Sequence, residues 1–334
     1  MTQPRFDVLC VGNAIVDVIA DASDDFLAEQ GLTKGSMRLI DEAEAERLYG
    51  VMGPGRELSG GSAGNTAAGL AALGCTVGFM GQVADDQLGA IYRHDVQSLG
   101  VEFLVPPRGG IGATARSLIL VTPDAQRTMN TFLGAAQLLD TSVLDHGAVA
   151  DAGILYLEGY LWDPEAPRAA MEAAIGDAKA AGRRVAFTLS DTFVVDRHGP
   201  DFLKLAAEGK IDILFANAAE LASVTGEEDF EAGIARLAPT VPLLVVTNGE
   251  AGAVAVRGEE RARVPAEPIG QLVDTTGAGD LFAAGFLAGQ ARGLGLEQCL
   301  KLGAIAAAEV IQHYGARPEA DLKALAGELL SPAA

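Results

Sequence analysis

At 334 residues with 49% apolar side chains, the chain is long enough for one large α/β domain or for a core with a small lobe. Against 24 Lys and Arg stand 45 Asp and Glu, and the resulting formal charge of -21 repels nucleic acid and anionic lipid, so neither is expected as a partner. A phosphorylated ligand meets the same field and needs local donors and a divalent cation to offset it.

The N-terminus, Met-Thr-Gln-Pro-Arg-Phe-Asp, has no apolar signal core, and no apolar run approaches the ~18 residues of a membrane span, which reads as a soluble, cytoplasmic protein. Phe6 to Val11 predicts a short buried strand ending at Gly12. Gly12-Asn-Ala-Ile-Val-Asp17 then sets Asn13 and Asp17 at a strand C-terminus, where open α/β sheets bind ligands. Asp17 suits sugar hydroxyls as an acceptor, and a solvated turn aspartate would look the same. Val16 to Ala22 with Ser36 to Ile40, and later Ala113 to Val121 with Arg127 to Phe132, alternate polar and apolar residues. They predict antiparallel strands of a small second sheet, either a lid or an edge extension that pairs two copies. Between these two segments, Ser59-Gly-Gly-Ser-Ala-Gly-Asn65 opens an Ala-rich helix running to Gly74. Its glycines permit close backbone approach to a ligand, and Asn65 offers a paired donor and acceptor from the first turns; tight packing explains the alanines equally well.

Further strands are expected at Ile154 to Leu157, Arg184 to Leu189, Asp212 to Phe215 and Leu243 to Val246, with helices such as Ala166 to Ala181 and Asp201 to Glu208 between them. That alternation predicts a doubly wound, mostly parallel sheet. Asn217-Ala-Ala-Glu220 places an amide and a carboxylate three residues apart on one helix face, suited to organising water around magnesium or to capping the helix itself. Val245-Val-Thr-Asn-Gly249 ends a strand in a glycine turn able to seat a nucleotide through main-chain contacts. In Asp274-Thr-Thr-Gly-Ala-Gly-Asp280, followed by Leu281-Phe-Ala-Ala-Gly-Phe-Leu287, glycines let amides converge at a helix N-terminus, where orphan donors and the dipole favour negative charge. Asp280 then lies beside a nest for an anion, an arrangement suited to phosphoryl transfer to a hydroxyl. Helices follow to the end, including Leu296 to Tyr314, with His313 read as a packing or surface residue and the last six residues as a frayed tail. Cys10, Cys75 and Cys299 are scattered in apolar surroundings and read as buried thiols. There is no GxxxxGK[ST] loop, no GxGxxG after the first strand, and no HRD or DFG element, which argues against P-loop, dinucleotide-binding and protein-kinase chemistry.

Taken in order, Gly60-Gly61 through Gly74, Gly81-Gln-Val-Ala-Asp-Asp-Gln-Leu-Gly89 and Asp274 to Asp280 resemble the two glycine signatures of the ribokinase/PfkB carbohydrate-kinase family, over essentially the whole chain. Gly12 to Asp17, Gly60 to Asn65, Leu189-Ser190, Phe215 to Glu220 and Val246 to Gly249 are similar to stretches of its adenosine-kinase branch. The resemblance implies a ribokinase-like α/β fold with a Rossmann-like core (residues 1–12, 50–100 and 136–334) and a small β-sheet lid (13–49 and 101–135). It implies ATP as donor with Mg2+, and a nucleoside or sugar as acceptor. Asp280 would be the general base, with the amides of Gly277, Ala278 and Gly279 as the anion hole. Asn13, Asp17, Gly61 and Asn65 would bind the acceptor, with Tyr160 or Trp162 stacking on a base and Met37 standing in the lid where a polar residue is expected. Asn217, Glu220, Thr247 and Gly249 would bind ATP, Glu220 reaching Mg2+ through water. Asp274 and Thr276 lie where some relatives bind K+, and Arg116 or Arg127 would touch the triphosphate from the lid. The expected reaction is adenosine to AMP; the alternatives are another nucleoside, ribose or fructose as acceptor, or a silent nucleoside-binding regulator. Monomer and homodimer are both open.

Overall fold

The structure, a computed structural model, describes residues 4–124 and 126–330; most of the tail expected to fray lies outside them. Chain order begins with β1 (Phe6–Val11), β2 (Ile15–Asp21), α1 (Asp24–Glu29), β3 (Met37–Leu39), α2 (Glu42–Val51) and β4 (Gly55–Ser59). Next come α3 (Ser62–Ala72), β5 (Val77–Met80), α4 (Gln87–Ser98), β6 (Val101–Phe103), β7 (Ala115–Val121) and β8 (Arg127–Phe132). The right half alternates α5 (His146–Ala150), β9 (Ala152–Glu158), α6 (Glu165–Ala180), β10 (Arg184–Thr188), α7 (Thr192–Ala207), β11 (Ile213–Asn217), α8 (Ala218–Thr225), α9 (Phe230–Leu237) and β12 (Leu243–Thr247). It closes with β13 (Ala253–Arg257), β14 (Glu260–Val264), α10 (Ala278–Ala291), α11 (Leu296–Val310) and α12 (Leu322–Ala326).

Nine strands form one sheet in the order β14-β13-β12-β11-β10-β9-β1-β5-β6, parallel from β12 to β6 and antiparallel only in the β12-β13-β14 edge. Its central strands are apolar on both faces because both are covered. Val8 and Cys10 of β1 join one core with α3, α10 and α11, while Leu9 and Val11 join a second with α6 and α7. The expected parallel α/β core is therefore present. The helix expected at Asp201 to Glu208 is longer: α7 starts at Thr192, capped by the Asp191 carboxylate accepting from Phe193 N–H at 3.0 Å, and carries Pro200 inside. Gly199-Pro200 hides its first turns in the sequence. The last long helix stops at Val310, short of Tyr314.

The second sheet has five strands in the order β3-β8-β7-β2-β4. β7-β8 is antiparallel as expected, whereas β3 pairs with β8 and not with β2, the β3-β8 and β2-β7 pairs are parallel, and an additional strand, β4, pairs antiparallel with β2. Two boundaries also move. β4 pairs with β2 in the small sheet although residues 50–100 were expected in the core, and β6 pairs with β5 in the large sheet although residues 101–135 were expected in the lid. Residues directly opposite share a face. Val16, Val18, Leu118 and Leu120 look into the core formed with Leu27 of α1 and Leu48 of α2. The other face carries Asp17 beside Leu58 and Ser117, Ile19 beside Ile119, then Met129, Met37, Thr131, Leu39 and Arg127.

Candidate active site

Small residues bring two helices together and thereby build the centre of the site. A Cβ on Gly69 of α3 would sit 2.6 Å from Leu281 Cδ1 and 2.7 Å from Ala284 Cβ of α10, so only glycine allows this approach. The glycine thus serves packing, and the packing serves the site: Ser62 Oγ donates to Asp280 Oδ1 at 2.6 Å and Asn65 Nδ2 donates to Asp280 Oδ2 at 2.9 Å. Asp280 lies in the first turn of α10, behind Gly277, which takes φ 75° as N-cap. Desolvation raises the Asp280 pKa, while the bonds from Ser62 and Asn65 and the charge of Arg317 pull it down. Ala278 N–H turns back onto Thr275 O at 3.2 Å, so among the described residues the expected anion hole keeps the amides of Gly277 and Gly279 for a ligand and not that of Ala278.

The residues expected to hold the acceptor are brought together by backbone close approaches. Gly61 sits at φ 82°, and a Cβ there would collide with Asn13 O; one on Gly60 would collide with the Asp17 carboxylate. Asp17 is half-buried on the open face of the small sheet, and desolvation lifts its pKa to about 7 against the lowering charges of Arg317 and Arg127. Asn13 faces inward: its N–H and Nδ2 both donate to Glu158 Oε1, at 2.8 and 2.7 Å, and Glu158 Oε2 accepts from Ala63 N–H at 2.7 Å. Glu158 is fully buried, and burial pushes its pKa to about 7 in spite of those bonds. Asn65 Oδ1 is buried with no partner among the described residues, the kind of atom a ligand hydroxyl satisfies. Trp162 is core, packed edge-on against Phe187 and Phe202, which removes it as a base-stacking residue. Tyr160 is half-buried, its ring against Phe193 and its hydroxyl 3.4 Å from Asp191 Oδ2.

On the nucleotide side, Asn217 and Glu220 form a complete capping box: Asn217 Oδ1 accepts from Glu220 N–H at 2.9 Å, and the Glu220 carboxylate accepts from Asn217 N–H and Nδ2 at 3.0 and 2.6 Å. Desolvation lifts Glu220 to about 7. Thr247 ends β12, and Gly249 follows it at φ 50°. From β8 of the small sheet, Arg127 Nη1 reaches Asp274 Oδ2 at 2.7 Å and Nη2 bonds Thr276 Oγ1, so an arginine already supplies positive charge where K+ was expected. Arg116 lies on the opposite face of β7, over the Tyr49 ring, and not toward the site. A surface cleft of about 830 Å3 runs along the open face of the small sheet past Ile19, Leu58 and Tyr314 without taking a wall from residues 277–280.

A profile of the pfkB family carbohydrate kinases matches residues 42–322, most of the chain. The chain belongs to this family. Among solved structures the kinase is similar to the adenosine kinase from Sinorhizobium meliloti, at 50% identity and TM-score 0.90 over 96% of this chain and 98% of that one. It is as similar to a probable sugar kinase from Rhizobium etli, at 49% identity and TM-score 0.91 over 97% and 98%. A fructokinase from Klebsiella pneumoniae is 33% identical over 264 residues, 77% of this chain and 85% of that protein. Use of ATP follows from the family, and among the described residues no helix is long and apolar enough to cross a membrane. Two residues of the candidate site carry no motif. Glu158 and Arg317 are found only once the fold sets them against Asn13 and the Gly60-Gly61 turn, while Ser62 stands inside the Ser59 to Asn65 motif and is singled out by its bond to Asp280; a buried Glu at a strand C-terminus was the one available signal for Glu158.

Proposed function

We propose that this kinase moves the γ-phosphoryl group of Mg-ATP to the 5'-hydroxyl of adenosine, giving AMP and ADP. The observation that carries the choice of acceptor is the open face of the small sheet. Around Asp17 it carries Met37, Leu39 and Leu58, left 42%, 52% and 37% exposed, with the polar Arg56, Ser117, Thr131 and Arg127 set among them. A purine offers a flat apolar surface that covers the three exposed apolar side chains, whereas a free sugar would leave them in water. Tyr160 is the aromatic residue on the core side. The likeness to the Sinorhizobium adenosine kinase supports the same reading.

In this scheme Asp17 and Asn65 Oδ1 accept from ribose hydroxyls and fix the 5'-oxygen near Asp280. Asp280 takes its proton as the bond to phosphorus forms, and the amides of Gly277 and Gly279 hold the charge on the transferring group. Magnesium would neutralise phosphate charge. The residues fit a metal held by phosphate oxygens and water, because Glu220 already has both oxygens in its capping box and the described residues hold no cluster of three metal-ligating side chains. Asn217, Thr247 and Gly249 lie along the strand ends where ATP would run.

ADP release measured with adenosine, inosine, ribose and fructose tests the proposal. Adenosine should exceed both sugars in kcat/KM by ~100-fold or more, and Met37→Glu should raise the adenosine KM about tenfold. A preference for ribose or fructose overturns the choice of acceptor; adenosine binding without ADP formation would mark a silent regulator.

A further inference from the structure

The segment Gly315-Ala316-Arg317, between α11 and α12, joins the loop before α10 to the glycine turn before α3. Gly315 N–H donates to Asp274 Oδ2 at 3.1 Å, and Ala316 fills the space a Gly277 side chain would need, its Cβ 2.5 Å from that position. Arg317 crosses to that glycine turn: Nε donates to Ser59 O at 3.0 Å, Nη2 to Ser59 Oγ at 2.7 Å and Nη1 to Gly64 O at 2.5 Å. The two anchored residues flank the acceptor turn. Gly60, next to Ser59, lies against the Asp17 carboxylate, and Asn65, next to Gly64, holds Asp280.

All three acceptors of Arg317 are neutral, and among the described residues it makes no ion pair. Its charge is therefore spent on nothing at contact distance and acts on the carboxylates around it. We propose that Arg317 is a positioning residue for phosphoryl transfer, which pins the glycine turn between Ser59 and Gly64 and supplies the standing positive charge that Asp17 and Asp280 share.

The surrounding charges agree with that role. Arg317 is faced by Tyr92 and Asp95 of α4, and Asp95 Oδ2 in turn accepts from Ser59 N–H and Oγ at 2.8 and 2.5 Å. Arg127 and Asp274 face Asp17 from β8 of the small sheet and from the loop before α10. Tyr156, Glu158 and Tyr160 face Asp280 from β9 and the turn after it. Of the cations in this set, Arg317 lowers the Asp17 pKa more than Arg127 does, and its charge also lowers that of Asp280.

The test rests on the kinase reading, so acceptor-dependent ADP release by the unaltered protein is established first; its absence would count against that reading and not against Arg317. The pH profile of kcat/KM is then compared with Arg317→Gln and Arg317→Lys. Removing the charge in Arg317→Gln should move the acid limb up by about one pH unit, the lower end of what a nearby opposite charge does. Arg317→Lys keeps the charge and should keep the limb in place, while the lost fork geometry raises acceptor KM about tenfold. An acid limb unmoved in a folded Arg317→Gln protein overturns the proposal. If that variant does not fold, Arg317→Lys decides alone: an unchanged acceptor KM, or a limb displaced as far as a charge loss would displace it, overturns the proposal.

Discussion

Asp280 is the base of the proposed reaction, and its surroundings suit a carboxylate to that role. Ser62 and Asn65 donate to its two oxygens and favour the ionised form, while desolvation strengthens its pull on a proton. Asp280→Asn keeps the shape and removes the acceptor. It should lower kcat by ~100- to 10,000-fold with acceptor KM changed little, read from initial rates of ADP formation; a variant that retains most of its turnover would remove Asp280 as base. Which residues surround it was only partly legible. Asp280, Gly277 and Asn65 announce themselves through glycine-rich turns, because backbone geometry restricts the residue types allowed there. Glu158 and Arg317 lie 122 residues before and 37 residues after Asp280 in the chain and have no spacing to betray them. Ala278 shows the reverse. Its position in a glycine turn marks it as an anion donor, and the turn's own hydrogen bond to Thr275 uses the amide.

At the scale of elements, the α3-α10 contact converts small residues into catalytic geometry. Gly69→Val would wedge Leu281 and Ala284 away and draw Ser62 and Asn65 off Asp280. The expected result is a loss of ~1–3 kcal/mol in unfolding free energy together with a fall in kcat, seen by denaturant titration and steady-state rates. A variant with normal kcat and lowered stability would show that the contact serves packing alone. The core strands were legible because continuous apolar runs bounded by turns have few other uses. β4 was not: Gly-Arg-Glu-Leu-Ser offers one large apolar side chain, and an edge strand half in solvent has no pattern to show. The direction of the β2-β7 pairing was hidden for another reason, since partners about 100 residues apart leave no turn between them to set it.

For the whole molecule, three desolvated carboxyls set the pH dependence of folding. Asp17, Glu158 and Glu220 are raised to about 7 from ordinary values of 3.8, 4.5 and 4.5. The folded chain thus holds protons that the unfolded chain has released, so stability falls as pH rises from about 5 through 7. Repulsion within a chain of formal charge -21 acts in the same direction. Thermal unfolding of the ligand-free protein should give a Tm several degrees higher at pH 5.5 than at pH 7.5 at constant ionic strength; a Tm rising steadily across that interval would contradict the burial of these groups. The way the backbone is threaded has a different consequence. It passes between the two sheets four times, after β1, β4, β6 and β8. A protease nick in any one of these connections leaves the smaller sheet still tethered by three. Recombination likewise could not exchange it as a cassette, so the open face of the smaller sheet changes by substitution within the tethered strands, one side chain at a time.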